Sequence, residues 1–154
     1  MNTGKCHSFA THGHPPPIHV GCAHCGAKNR IAAARLGDHP VCGRCGRELL
    51  DGQPVEVTDD TFDAVTAGTD LPVVVDFWAP WCGPCRAMAP QFEQAAAALR
   101  GRALLVKLNS DDNPRAAARF GIRSIPTLVR LQGGREVARH SGTAPAPQIV
   151  RFAS

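Results

Sequence analysis

At 154 residues and 16.3 kDa, the chain has room for one domain of about 100 residues with a smaller module beside it. Apolar residues at 44% against 19% charged exclude a chain that stays unfolded throughout, and a net charge of +4 is too small for a dedicated nucleic-acid binder. All of that excess lies in residues 1 to 50, with six basic and two acidic side chains, whereas residues 51 to 154 carry eleven of each.

No run approaches the roughly 18 apolar residues that span a bilayer, and the N-terminus lacks a signal peptide's apolar core of about 7 to 15 residues. A cytoplasmic protein without membrane contact is therefore expected. Six of the seven cysteines form three Cys-x-x-Cys pairs, Cys22/Cys25, Cys42/Cys45 and Cys82/Cys85. In a chain without an export signal that spacing points to metal binding or redox catalysis, not to a disulfide framework.

In chain order, residues 1 to 20 hold Cys6, His7, His12, His14 and His19 around Pro15-Pro16-Pro17 and show no periodicity. They read as a disordered or polyproline-like leader. Residues 21 to 50 open with Gly21-Cys22 and Cys25-Gly26 and return, after sixteen intervening residues, with Cys42 and Cys45-Gly46. Two such turns each supply two sulfurs to one side of a tetrahedral Zn²⁺, and the glycine after each second cysteine lets the chain turn back. One structural zinc on Cys22, Cys25, Cys42 and Cys45 is expected, since a segment this short buries too little to fold alone. Its charge with four thiolates leaves the first third near +2. His24 and His39 are spare, and are expected to face solvent.

From Asp51 to Ser154 the pattern changes to alternating apolar segments. Pro54–Val57 reads as a short strand and Asp59–Val65 as a helix with a capping aspartate. The run Val73–Trp78 suits a strand buried on both faces. Cys82 to about Leu99 reads as a helix kinked at Pro90, Leu104–Asn109 as a strand, and Asn113–Phe120 as a short helix closed by Gly121. Thr127–Leu131 and Glu136–Ser141 predict a hairpin, and a short helix follows from about Ala146. This order predicts an α/β fold, a mixed central sheet flanked by helices, behind a small zinc-ribbon-like domain. The complete, neutral α/β unit is expected to fold independently of the zinc segment.

Trp81-Cys82-Gly83-Pro84-Cys85 lies between the Val73–Trp78 strand and a helix, so Cys82 meets the unpaired amides and positive dipole end that favour a thiolate. Here the chain resembles thioredoxin over residues 51 to 154. Asp76-Phe77-Trp78-Ala79, Pro90, Lys107-Leu108-Asn109 and Ile125-Pro126-Thr127 extend the likeness, and from Gly21 onward the chain resembles the zinc-containing thioredoxins of bacteria. Two features depart from that pattern: the leader is longer, and the last helix is short, with Pro145 and Pro147 at its start.

The resemblance implies a protein-disulfide reductase acting by thiol–disulfide exchange, with Cys82 attacking and Cys85 resolving through a redox-active Cys82–Cys85 disulfide. It implies a docking surface from Trp81, Gly83, Pro84, Ile125, Pro126 and Gly142, with Pro126 cis. Asp76 is a carboxylate in an apolar strand, so burial should raise its pKa and fit it to take the proton of Cys85; Lys107 matches the lysine that accompanies this acid. The implied partners are disulfide-containing proteins and thioredoxin reductase, which draws on NADPH, and the implied state is a monomer. Thioredoxin's attacking cysteine titrates near about 7 against about 8.5 for a free thiol, which raises the thiolate fraction at pH 7 roughly 16-fold. Lower basicity takes back about 5-fold. A net gain of about threefold leaves most of the rate to orientation and docking.

A second reading fits the same four N-terminal cysteines: a zinc-thiol sensor of oxidative stress, or a holdase, in which oxidation ejects the metal. A nucleic-acid-binding ribbon fits poorly, because Lys28, Arg30, Arg35, Arg44 and Arg47 have no interleaved aromatics on which bases could stack.

Overall fold

A computed structural model describes residues 15 to 154. The leader expected over residues 1 to 20 lies outside the described residues for its first fourteen positions. Its far end is corrected: Ile18–Gly21 is strand β1, paired antiparallel with β2 (Lys28–Ile31), and a single 3₁₀ turn follows at Ala33–Arg35.

The α/β part runs β3 (Val55–Val57), α1 (Phe62–Thr66), β4 (Val73–Trp78), α2 (Gly83–Ala98), β5 (Leu104–Asn109), α3 (Pro114–Arg119), β6 (Thr127–Gln132), β7 (Arg135–Ser141) and α4 (Ala146–Phe152). Its five-stranded sheet has the order β3-β5-β4-β6-β7, parallel at β3/β5 and β5/β4 and antiparallel at β4/β6 and β6/β7. The continuous apolar run of β4 is explained by its central place, because both of its faces are covered. Val74, with Leu105 and Leu128 beside it, packs against Met88 and Phe92 of α2, Leu99 just after that helix and Ile149 of α4. Val73, Val75 and Phe77 face the other way, toward Phe62 and Val65 of α1.

One expected cap lies elsewhere. Asp59 does not cap α1, whose preceding residue Thr61 makes no side-chain cap. Its carboxylate accepts the Arg115 and Ala116 N–H groups at 3.1 and 2.8 Å, closing the first turn of α3.

The segment with the four paired cysteines packs against the α/β part. Val20, Cys22, Ile31, Cys42, Leu49 and Leu50 share one continuous buried cluster with Val57, Phe62, Val65 and Leu71. Gly21 runs so close to α1 that a Cβ there would overlap the Ala64 carbonyl oxygen. Its N–H donates to Thr69 Oγ1 at 3.0 Å, and His19 donates its N–H to Asp70 Oδ2 at 2.8 Å while its carbonyl accepts the Asp70 N–H. The two expected domains are therefore in contact through a shared core. The contact is made by residues that a composition shift at Asp51 does not show.

Candidate active site and metal centre

The redox pair stands at the junction of β4 and α2. Cys82 is the N-cap of α2, in extended conformation (φ −82°, ψ 110°), and Gly83-Pro84 form the first helical positions, where proline's missing N–H removes no helix bond. Cys82 and Cys85 are joined by a disulfide, with Cα atoms 5.3 Å apart. Cys82 Sγ accepts the Cys85 N–H at 3.2 Å, one of the free amides that begin the helix. Cys82 and Cys85 are 4% and 3% exposed, so exposure does not separate them; place in the helix does.

The residues expected around the pair divide. Trp81 is 67% exposed, and Gly83 and Pro84 are exposed beside it. The Ile125–Pro126 peptide is cis, as the resemblance implies, and Cys82 Sγ lies 3.8 Å from the Ile125 carbonyl. Gly142 reaches this turn through its backbone, its N–H donating to the Pro126 carbonyl at 2.9 Å. One partner was missed: Trp81 Nε1 donates to Asp111 Oδ2 at 2.7 Å, which pins the exposed ring. The acidic Asp111-Asp112 pair following β5 is the signal that could have found it.

Asp76 lies on the sheet face that α2 covers, in register with Lys107 on one side and Leu128 on the other. It is 1% exposed and its Oδ1 has no hydrogen-bond partner. Burial pushes its pKa from 3.8 up to about 7, against the nearby Lys107 ammonium, which pulls it down, and with Glu56, which pushes it further up. Lys107 is half-buried, its Nζ 4.4 Å from the centroid of the Trp78 ring.

A pKa raised in the folded state makes stability fall with pH. Below about pH 4 Asp76 is protonated in both states and contributes no difference. Between about 4 and 7 only the unfolded carboxyl ionises, and the loss reaches about 4 kcal/mol above pH 7. In the disulfide form, the stability advantage of Asp76→Asn over the parent should therefore widen by about 4 kcal/mol from pH 4 to pH 8, read by urea unfolding at each pH. A gap that stays constant would show that Asp76 ionises without penalty.

The four N-terminal cysteines converge. Their sulfurs lie within 4.8 Å of one another, with Cys22–Cys45 and Cys25–Cys42 at 3.6 Å. A tetrahedron with Zn–S bonds of about 2.3 Å has edges of about 3.8 Å, so the donor set fits this ion. Both Cys-x-x-Cys turns fold alike: Gly26 donates to the Cys22 carbonyl and Gly46 to the Cys42 carbonyl, at 2.9 and 2.8 Å, each glycine at positive φ. Asn29 ties the turns together, its Oδ1 accepting the Gly43 N–H and its Nδ2 donating to the Ala27 carbonyl. The Cys45 backbone amide, followed by Asn29, holds the Cys42 thiol below its ordinary range. His24 and His39 are exposed and outside the sulfur cluster, and His39 pairs with Glu48 at 2.8 Å.

Comparison with known proteins gives this arrangement its context. The thioredoxin family model matches residues 53–154, and the model for the N-terminal segment of thioredoxin 2 matches residues 21–47. Thioredoxin C-3 of Corynebacterium nephridii is 46% identical over 133 residues, covering 86% of this chain and 91% of that protein. Thioredoxin 1 of a Nostoc species is 49% identical over 90 residues, 58% of this chain and 84% of its own. Among solved structures, a mutant thioredoxin from Halobacterium salinarum superposes with a TM-score of 0.61 at 31% identity, covering 66% of this chain and 88% of that one. The second family match falls on the segment that carries the four converging sulfurs, and the first spans the whole α/β sheet with its cysteine pair. The chain therefore belongs to the thioredoxin family of disulfide oxidoreductases, in the form with a zinc-ribbon segment ahead of the thioredoxin domain.

Proposed function

We propose that this chain is a general protein-disulfide reductase of the cytoplasm, monomeric, and recharged by a flavoprotein thioredoxin reductase that draws on NADPH. The reading rests on the Cys82–Cys85 disulfide at the start of α2, with the Ile125 carbonyl beside Cys82. In the reduced protein the Cys82 thiolate attacks one sulfur of a substrate disulfide, forming a mixed disulfide and releasing the first substrate thiolate. Cys85 passes its proton to Asp76 and attacks Cys82 Sγ, which releases the second substrate thiolate and leaves the Cys82–Cys85 disulfide. Lys107 adjusts the acid through its charge. Trp81, Gly83, Pro84 and Ile125 form the surface on which an extended substrate docks, and the cis turn at Pro126, held by Gly142, offers it backbone hydrogen-bonding groups.

In this reading Cys22, Cys25, Cys42 and Cys45 hold one structural Zn²⁺, which supplies folding energy to their segment. The exposure of Cys45 and the two short sulfur–sulfur pairs also favour a redox-responsive role. Two equivalents of peroxide would close two disulfides, each reduced to two waters with protons from solvent, and the sulfurs would no longer hold a cation.

The deciding experiment couples reduction of insulin disulfides to NADPH oxidation in the presence of thioredoxin reductase. Turnover that needs both proteins is expected. NADPH oxidation that does not depend on the chain, with the chain demonstrably folded, would refute the reading.

A further inference from the structure

The acid of the active site does not have its lysine to itself. Register pairs Lys107 of β5 with Asp76 of β4 on one side and with Glu56 of β3 on the other. Paired residues of neighbouring parallel strands point to the same face, so Glu56, Lys107 and Asp76 form one row across the sheet. Val55 and Val57 turn toward the opposite core, which leaves Glu56 as the only residue of β3 on this face. The row runs from solvent inward: Glu56 is exposed at the sheet edge, Lys107 half-buried and Asp76 fully buried. Lys107 is not consumed by a bond to Asp76 Oδ1, which has no partner, and its ammonium rests over the Trp78 ring.

We propose that Glu56 is a positioning residue for the resolving step, its carboxylate sharing the field of the Lys107 ammonium so that Asp76 holds its proton more tightly than it would beside Lys107 alone. One positive charge between two carboxylates cannot neutralise both. With Glu56 ionised, the attraction that would ionise Asp76 is partly cancelled, and the buried acid is kept able both to accept and to return a proton near neutrality. The electrostatic balance at Asp76 has the same sense, with Lys107 pulling down and Glu56 pushing up; Glu56 itself is raised, first by desolvation, against Lys107. Among the described residues the other groups facing this region are few, and the Trp78 side chain, which favours the ionised form of Glu56, carries no charge. Leu128 of β6 is apolar, Cys85 of α2 does not titrate while in the disulfide, and Glu93 of α2 lines a groove of about 500 Å³ with Lys107 without adding to the balance at Asp76.

The proposal rests on Asp76 as the proton acceptor of Cys85, and its test separates the two ideas. The Asp76 carboxyl is titrated by carbon NMR in the full-length, zinc-loaded, disulfide-form protein, its signal identified by its loss in Asp76→Asn. Two strand spacings put the carboxylates about 10 Å apart, where a unit charge at an interface of protein and water moves a titration by about half a pH unit to one unit. Glu56→Gln should lower the Asp76 midpoint by about that amount and Glu56→Lys by about twice as much. Glu93→Gln should leave it in place, and 1 M salt should shrink the Glu56 effects, because Glu56 is exposed. A midpoint unmoved in both Glu56 variants overturns the proposal. The pH profile of mixed-disulfide resolution is then measured in the same variants: a profile that follows the carboxyl supports Asp76 as the acceptor, and one that ignores a moved midpoint refutes that role without touching the coupling.

Discussion

Cys82→Ser is expected to abolish reduction of protein disulfides, a loss on the order of a thousandfold or more, whereas Cys85→Ser should complete the first exchange and then stop. The two cysteines are nearly equally buried, so the difference comes from the helix. Cys82 is the N-cap, its sulfur already accepting the Cys85 N–H at 3.2 Å, and it stands beside the Ile125 carbonyl, at the edge of the proposed docking surface. A negative sulfur there is stabilised by the amides and dipole of α2. Cys85 lies buried within the first turn, bonded to the sulfur of Cys82. A hydroxyl at position 82 provides no thiolate for the first attack. A hydroxyl at position 85 leaves the attack intact and removes the escape, so substrates accumulate as covalent adducts. Non-reducing electrophoresis and intact mass, with insulin or another disulfide protein, distinguish the cases. Adducts on Cys82→Ser, or turnover by Cys85→Ser at the parent rate, would reverse or remove the assignment.

Much of this site is legible in the residues because its chemistry is local. The helix start after a β-branched strand, the proline inside the helix and the carboxylate within Val73–Trp78 each violate or punctuate a periodicity. The four zinc-type cysteines announce themselves by spacing. What stayed hidden depends on pairs far apart in sequence. Asp59 precedes an apolar helical stretch and reads as its cap, yet the amides it satisfies belong to Arg115 and Ala116, brought to it by the parallel pairing of β3 with β5. Trp81 finds Asp111 thirty positions on because β4 and β5 end together. Strands β1 and β2 are four residues each, and β2 reads Lys28-Asn29-Arg30-Ile31, too polar to betray a strand. Glu56 looks like an ordinary solvent-facing alternation in a short strand until register sets it against Lys107.

Removal of zinc should destabilise the thioredoxin domain as well as the segment that binds it. The buried cluster runs without a break from Val20, Ile31, Leu49 and Leu50 into Val57, Phe62 and Val65, and Phe62 in turn packs on Phe120, which contacts Phe77 of the active-site strand. Without four sulfurs held at one point, the segment has too little core to keep its shape, and its apolar side chains leave the face of α1. Each large side chain that loses burial removes about 1.5 to 3 kcal/mol, partly recovered by relaxation, so a net loss of about 2 to 4 kcal/mol is expected. For a domain of this size that lowers Tm by about 10 to 20 °C. Both tryptophans, Trp78 and Trp81, lie in the α/β part, so their fluorescence on heating reports that part alone. The comparison is between zinc-loaded protein and protein whose zinc loss after chelation is verified by metal analysis. Gly21→Ala makes the same test with every cysteine in place. Its Cβ would meet the backbone carbonyl of Ala64, so β1 must lift from α1 to accommodate it, and the tryptophan transition should fall while zinc stoichiometry stays at one. If chelation and Gly21→Ala both leave that transition where it was, the shared core carries no stability, and the two parts are independent after all.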